Sequence, residues 1–204
     1  MKKDPIEIFN QWALTGKDKG MEKNHASPVK EMLKFSTKNI NTFSFIDAGC
    51  GNGWVVRNVS KFKECEEAIG VDGSSKMIEK ALSLDKKNNY FCSNLLNWKP
   101  ANKVDLVHSM EVFYYFKNPE KVIEHIHDKW IKAGGRLIMG VDFYFENKIS
   151  HNWPEETNVS IMNLLKEKDW INIFNKAGFL NVKNWRSGIK NDWGGTLIVT
   201  GTKN

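Results

Sequence analysis

Phe45-Ile46-Asp47-Ala48-Gly49-Cys50-Gly51-Asn52-Gly53-Trp54 is an apolar run that ends in an acid and passes into three glycines at alternate positions. It reads as a strand, a tight turn and the start of a helix. Phe43, Phe45 and Ile46 suit a buried parallel strand. Gly49, Gly51 and Gly53 let the backbone turn sharply and approach a ligand where a Cβ would obstruct, and the N–H groups opening the next helix face whatever lies in the turn. A second apolar run, Ala68-Ile69-Gly70-Val71-Asp72, ends in a carboxylate about twenty residues further on, where a nucleoside-binding βαβ unit places the ligand of its ribose diol. The glycine spacing also separates cofactors. A dinucleotide turn wants Gly-x-Gly-x-x-Gly, its last glycine allowing close helix–strand packing beside a pyrophosphate. Here the pattern is Gly-x-Gly-x-Gly and the indole of Trp54 fills that last place, which argues against a pyrophosphate.

With Asp47 ahead of the glycines and Asp72 after the second strand, the region from about Phe43 to Gly201 resembles the small-molecule branch of the class I S-adenosylmethionine-dependent methyltransferases. The resemblance implies an α/β fold: a Rossmann-like, doubly wound, seven-stranded sheet in the order 3-2-1-4-5-7-6, the last strand antiparallel, with an N-terminal helical lid. It implies S-adenosyl-L-methionine as cofactor, S-adenosyl-L-homocysteine as product, and in-line transfer of a methyl group to a nitrogen, oxygen or sulfur nucleophile. The turn of Asp47, Gly49, Cys50, Gly51 and Gly53 would hold the amino-acid tail, and Asp72 with Gly73 the ribose. Met77 would lie against the adenine and Ser93, Asn94 and Leu95 along its edge, Asn94 standing where the family often has Asp. Met110 and Trp12 complete the expected cofactor contacts.

The chain has 204 residues, enough for one domain with a single core, divided into a lid segment over 1–40 and a Rossmann-like core over 41–204. No apolar run reaches the roughly 20 residues of a membrane span, and Met-Lys-Lys-Asp-Pro leads into no apolar signal core. The expectation is a cytoplasmic monomer or homodimer away from membranes. Cys50, Cys65 and Cys92 lack Cys-x-x-Cys spacing, so neither a disulfide framework nor a metal site is expected. A net charge of +6 and a pI near 9.1 invite a nucleic-acid reading. Against it, Arg57, Arg136 and Arg186 are the only arginines among 30 basic residues, and phosphate and base-edge recognition favours the arginine fork. An RNA methyltransferase and a binding module without turnover are the alternatives to a small-molecule enzyme.

The acceptor side is read from three places. Residues 5–15 form a helix with Ile8, Phe9, Trp12 and Ala13 on one face, followed by a polar, glycine-punctuated stretch over 16–25 and a second helix opening at Ser27-Pro28. In the resembled family such a segment lies over the cofactor site, so Trp12, Met21, Glu22 and His25 are expected to close on it. After strand 4, Ser-Met-Glu-Val-Phe-Tyr-Tyr-Phe lacks the Pro-Pro-Tyr signature of enzymes that methylate exocyclic base amines, and Tyr114 and Tyr115 are expected at the acceptor. The third place is the insertion over 142–153, where Tyr144, His151 and Trp153 suit a substrate wall. His25, Glu22 and His151 are the candidate bases, with Tyr115 beside the chemistry, and the aromatic groups suit a cationic or planar acceptor.

Overall fold

The computed structural model describes residues 2–204. Seven strands form one sheet in the order β3-β2-β1-β4-β5-β7-β6. They are β1 (Phe43–Ala48), β2 (Cys65–Asp72), β3 (Asn89–Cys92), β4 (Val104–Met110), β5 (Ile131–Val141), β6 (Leu180–Ser187) and β7 (Thr196–Thr202). The first five run parallel, and β7 is antiparallel to both β5 and β6. This is the expected order. The helices are α1 (Pro5–Thr15), α2 (Lys19–Ser36), α3 (Trp54–Val59), α4 (Ser75–Leu84), α5 (Pro119–Lys129), α6 (Trp153–Glu156) and α7 (Glu167–Lys176).

The central strands are buried on both faces, and each face carries its own core. On one, Val122, Ile123 and Ile126 of α5 and Trp170 and Phe174 of α7 pack with Leu137, Met139 and Trp130. On the other, Val29, Met32 and Leu33 of α2, Val55 and Val56 of α3 and Ile78 of α4 cover Phe43, Phe45 and Ile138. Trp54, the indole in place of a third glycine, belongs to this second core. Among the described residues no helix is long and apolar enough to cross a membrane.

One boundary differs from the sequence reading. The stretch expected as a polar loop over 16–25 is mostly helix, because α2 begins at Lys19 and runs through Pro28. A proline inside a helix forgoes one backbone hydrogen bond, a cost of about 3 kcal/mol, yet tertiary anchoring of the first turns offsets it. Asp18, fully buried ahead of α2, accepts from Asn52 Nδ2 at 2.8 Å and from Lys80 Nζ at 2.6 Å. Gly134-Gly135 lie inside β5, where Gly134 N–H and Lys203 N–H exchange bonds with Lys203 O and Gly135 O. Gly134 keeps a left-handed φ of +78° at the irregular point of the β4–β5 ladder, a conformation glycine adopts without strain, while the ladder to Lys203 continues the strand through it.

Candidate active site

A cavity of about 370 Å³ opens at the carboxyl edge of the parallel strands, within the size range of small-molecule sites. One end is lined by Gly49, Gly51, Asp72, Gly73 and Met77. Gly49 has φ +79°, and a Cβ there would stand 2.2 Å from Val112 Cγ2, so the turn admits no side chain. The Asp72 carboxyl accepts from Ser74 N–H at 2.7 Å and from Gly51 N–H at 2.9 Å, tying the glycine turn to the start of α4. Burial pushes Asp72 up to about 6; the Ser74 and Gly51 N–H groups pull against this, and the charge of Asp47 adds to it. Ser74 Oγ caps α4 by accepting from Met77 N–H. Ser93, Asn94, Leu95 and Met110 also line the cavity. One lone pair of Asn94 Oδ1 is taken by Leu96 N–H at 2.9 Å, leaving another for an incoming donor.

Four expected cofactor residues do not line this cavity. Asp47 is buried and takes a 2.7 Å hydrogen bond from His108 Nδ1, supporting the strand end from behind. Cys50 sits in the core with its thiol pushed well up by burial and by the Asp72 and Asp47 charges, which leaves it unsuited to nucleophilic work. Gly53 packs against Tyr90, where a Cβ would come within 2.5 Å of its ring. Trp12 touches the site through Phe9, whose ring it meets edge-on at 5.4 Å.

The other end of the cavity is apolar and lies under α1. Ile6, Phe9, Met21, Val112, Tyr115 and Phe116 line it, and Phe9 meets Tyr115 edge-on at 5.1 Å. α1 is pinned to α4, with Asn10 Oδ1 accepting from Ser74 Oγ–H at 2.8 Å and from Lys76 N–H at 3.1 Å.

Glu111 also lines the cavity, directly after β4, with φ +61°, a left-handed conformation uncommon for a side-chain-bearing residue. Its carboxyl accepts from Tyr114 OH at 2.6 Å and from Asp142 N–H. Behind it, His25 Nε2 lies 3.3 Å from Asp142 Oδ2 and His25 Nδ1 lies 2.9 Å from Met21 O. Burial and the Asp142 charge push Glu111 up to about 8, against the opposing pull of His25 and Tyr114. Burial alone would lower His25, but the Asp142 contact and the charges of Glu111 and Asp142 raise it above its ordinary value. The three residues present ligand-type atoms within 4.8 Å of one another, a set able to hold a divalent cation as well as a proton.

His25 and Tyr115 thus stand at the cavity or its backing cluster, and Tyr114 holds Glu111 from behind. The other expected acceptor residues do not come to this site. Glu22 is exposed on α2. His151 Nε2 rests 2.9 Å from Phe145 O. Tyr144 is fully buried and donates to Gly194 O at 2.8 Å, and Trp153 stacks on Trp193. The insertion over 142–153 is held against the segment leading into β7, with Asn147 Oδ1 accepting from Gly194 N–H at 3.0 Å, so these three residues pack there and line no part of the cavity. Glu111 and Asp142 are the site residues that the sequence reading passed over. Their signal was the one used for Asp47 and Asp72, an acid at the carboxyl end of an apolar parallel strand.

A family model described as a methyltransferase domain matches residues 21–184. The chain belongs to this methyltransferase domain family. Its fold is that of the class I S-adenosylmethionine-dependent enzymes, and the chain of a Haloferax volcanii methyltransferase, solved in complex with the Trm112 methyltransferase activator, superimposes with a TM-score of 0.83 at 26% identity, covering 99% of each chain. In sequence it is 25% identical over 132 residues to the trans-aconitate 2-methyltransferase of Agrobacterium fabrum, 65% of this chain and 48% of that one. It is 28% identical over 111 residues to malonyl-[acyl-carrier protein] O-methyltransferase 2 of Ilyobacter polytropus, 51% of this chain and 42% of that one. The chain therefore spans about half the length of these curated relatives or less.

Proposed function

We propose that this methyltransferase-family chain transfers the methyl group of S-adenosylmethionine to a small-molecule acceptor held beneath α1. The observation that carries this is one cavity with two unlike ends, a glycine turn with Asp72 at one and an apolar wall closed by α1 at the other. The residues fit the cofactor: Asp72 retains lone pairs for the two ribose hydroxyls, and the glycine turn is a cradle that a Cβ would fill. When bound, S-adenosylmethionine supplies an electrophilic methyl on a sulfonium, so the protein's part is positioning and exclusion of water. Positioning of this kind reaches about 7–11 kcal/mol in well-aligned cases. Phe9, Met21, Val112 and Tyr115 supply the dry wall, and Glu111, backed by Asp142 and His25, lies within reach of a proton leaving the acceptor.

The lining favours a small acceptor over RNA. Lys117 is its one cation among the described residues and no arginine reaches it, whereas a polyphosphate strand calls for several. The Haloferax relative is held with an activator protein, and edge strand β3 here leaves Phe91 exposed beside an unpaired strand edge that such a partner can use. Assays therefore run with and without cell extract. Methyl-labelled S-adenosylmethionine is offered with a metabolite pool and, separately, with total RNA. Label in small molecules alone is the expected result, and label confined to RNA would overturn the proposal.

A further inference from the structure

Resting on the methyltransferase reading above, we infer that the acceptor is an amine, and that Glu111, with Asp142 and His25 behind it, recognises the nitrogen and takes its proton. The first support is the charge of the cavity. Asp4 and Asp72 line it, with Glu111 a third carboxyl that turns negative as pH rises, against the single cation Lys117, so a carboxylate or phosphate acceptor would meet like charge, and an ammonium the opposite.

The second support is the location and rigidity of Glu111. It stands between Met110 and Val112, and Val112 is the side chain that fills the space above Gly49, so the carboxyl lies where the glycine turn meets the apolar wall. Its left-handed backbone and its two accepted hydrogen bonds, from Tyr114 OH and Asp142 N–H, fix it there. The third is an unmet acceptor. Asp142 is 5% exposed, and its Oδ1 is buried without a hydrogen-bond partner. Asp142 stands behind Glu111 and outside the cavity lining, so this acceptor adds negative potential there rather than a contact; at Glu111 itself an amine brings two or three N–H donors, an alcohol or thiol one, and a carboxylate none. The rings of Phe9, Tyr115 and Phe116 around the remainder of this end suit a cationic, arylalkyl-type amine.

A divalent cation is the competing occupant of the three side chains. Glu111 already accepts from two protein donors and His25 Nε2 already faces Asp142, so the cluster is organised for protons. The step balances without another reactant. Once Glu111 has lost its own proton to solvent, an ammonium gives one proton to its carboxylate and becomes a neutral amine; because Glu111 is held above the usual carboxylate range, this ionised fraction grows as pH rises. The nitrogen lone pair then forms the N–C bond as the C–S bond breaks with its electron pair staying on sulfur, and the positive charge passes from sulfur to the methylated nitrogen.

The test offers methyl-labelled S-adenosylmethionine to the full chain with an arylalkylamine pool (phenethylamine, tryptamine and their N-methyl forms), with the matched arylpropionic acids, and with the matched alcohols. Base-stable label with the amines alone is expected, reduced about 100-fold in Glu111→Gln, while calorimetry shows S-adenosylhomocysteine affinity within about two-fold of wild type. Should Glu111→Gln fail to bind S-adenosylhomocysteine, Asp142→Asn takes its place, with a loss of at least about 10-fold expected. Base-labile ester label from the acids, equal label from alcohols, no label from the amines, a requirement for an EDTA-removable cation, or an unimpaired variant would each overturn the inference. The methyltransferase reading itself falls only if wild type binds no S-adenosylhomocysteine.

Discussion

The cofactor end of the cavity is assembled from three short segments, around Gly49, Asp72 and Ser93, largely through backbone groups and one carboxyl, whereas the acceptor end collects single side chains from Phe9, Met21, His25, Glu111 and Asp142. At the first end the lining is a glycine turn whose N–H groups are bonded within the chain, Gly49 to Val71 O and Gly51 to the Asp72 carboxyl, so its shape rests on the backbone. At the second, each contact depends on one side chain, so a change of residue changes the ligand. The difference teaches where a family keeps its common chemistry and where an individual chain sets its substrate.

Variants at the two ends separate these roles. The largest effect is expected for Glu111→Gln, which should lower kcat by about 100-fold in keeping with loss of a proton acceptor while sparing cofactor affinity, as read by single-turnover rates beside calorimetry. Next comes Asp72→Ala, which should weaken S-adenosylhomocysteine binding by about 10- to 100-fold, since a hydrogen bond to a charged group contributes roughly 1.5–3 kcal/mol. The same carboxyl gives the cofactor end a pH signature. Asp72 is raised to about 6 by burial, and ribose hydroxyls donate to its ionised form, so affinity should fall as pH drops through that value and level off above it; in Asp72→Ala the slope should vanish.

Gly49→Ala acts on stability where the two ends meet. A methyl at φ +79° in contact with Val112 adds overpacking of about 1–3 kcal/mol to backbone strain, a melting temperature lower by roughly 5–10 °C for a domain of this size. The smallest effects are expected for Glu22→Ala and His151→Ala, whose side chains lie away from the cavity; turnover within about two-fold of wild type would agree, and a larger loss at either would enlarge the acceptor end beyond its present boundary.

The same contrast explains what could be read from the chain alone. The strand order, the glycine turn and the ribose acid follow from local runs: an apolar strand, a glycine spacing, a carboxylate one crossover later. His25 was legible as a lid residue, but its partners were not, because Glu111 and Asp142 come from strands far along the chain and meet it only through sheet order. Reading every acid at a parallel strand's carboxyl end, as was done for Asp47 and Asp72, would have found both. Tyr144 and Trp153 misled for the opposite reason. Their aromatic character suited a substrate wall, and only the contacts with Gly194 and Trp193 show that the insertion turns toward β7. Trp12 belongs to the same helical face as Phe9 but stands three residues further along α1, where its ring meets Phe9 and not the cavity.

A crystal structure with S-adenosylhomocysteine tests the central claim most directly. The ribose hydroxyls should lie within hydrogen-bond distance of the Asp72 carboxyl, with the sulfur turned toward the end that Glu111, Tyr115 and Phe9 enclose. Clear density for the ligand elsewhere on the molecule, or with its sugar away from Asp72, would contradict it.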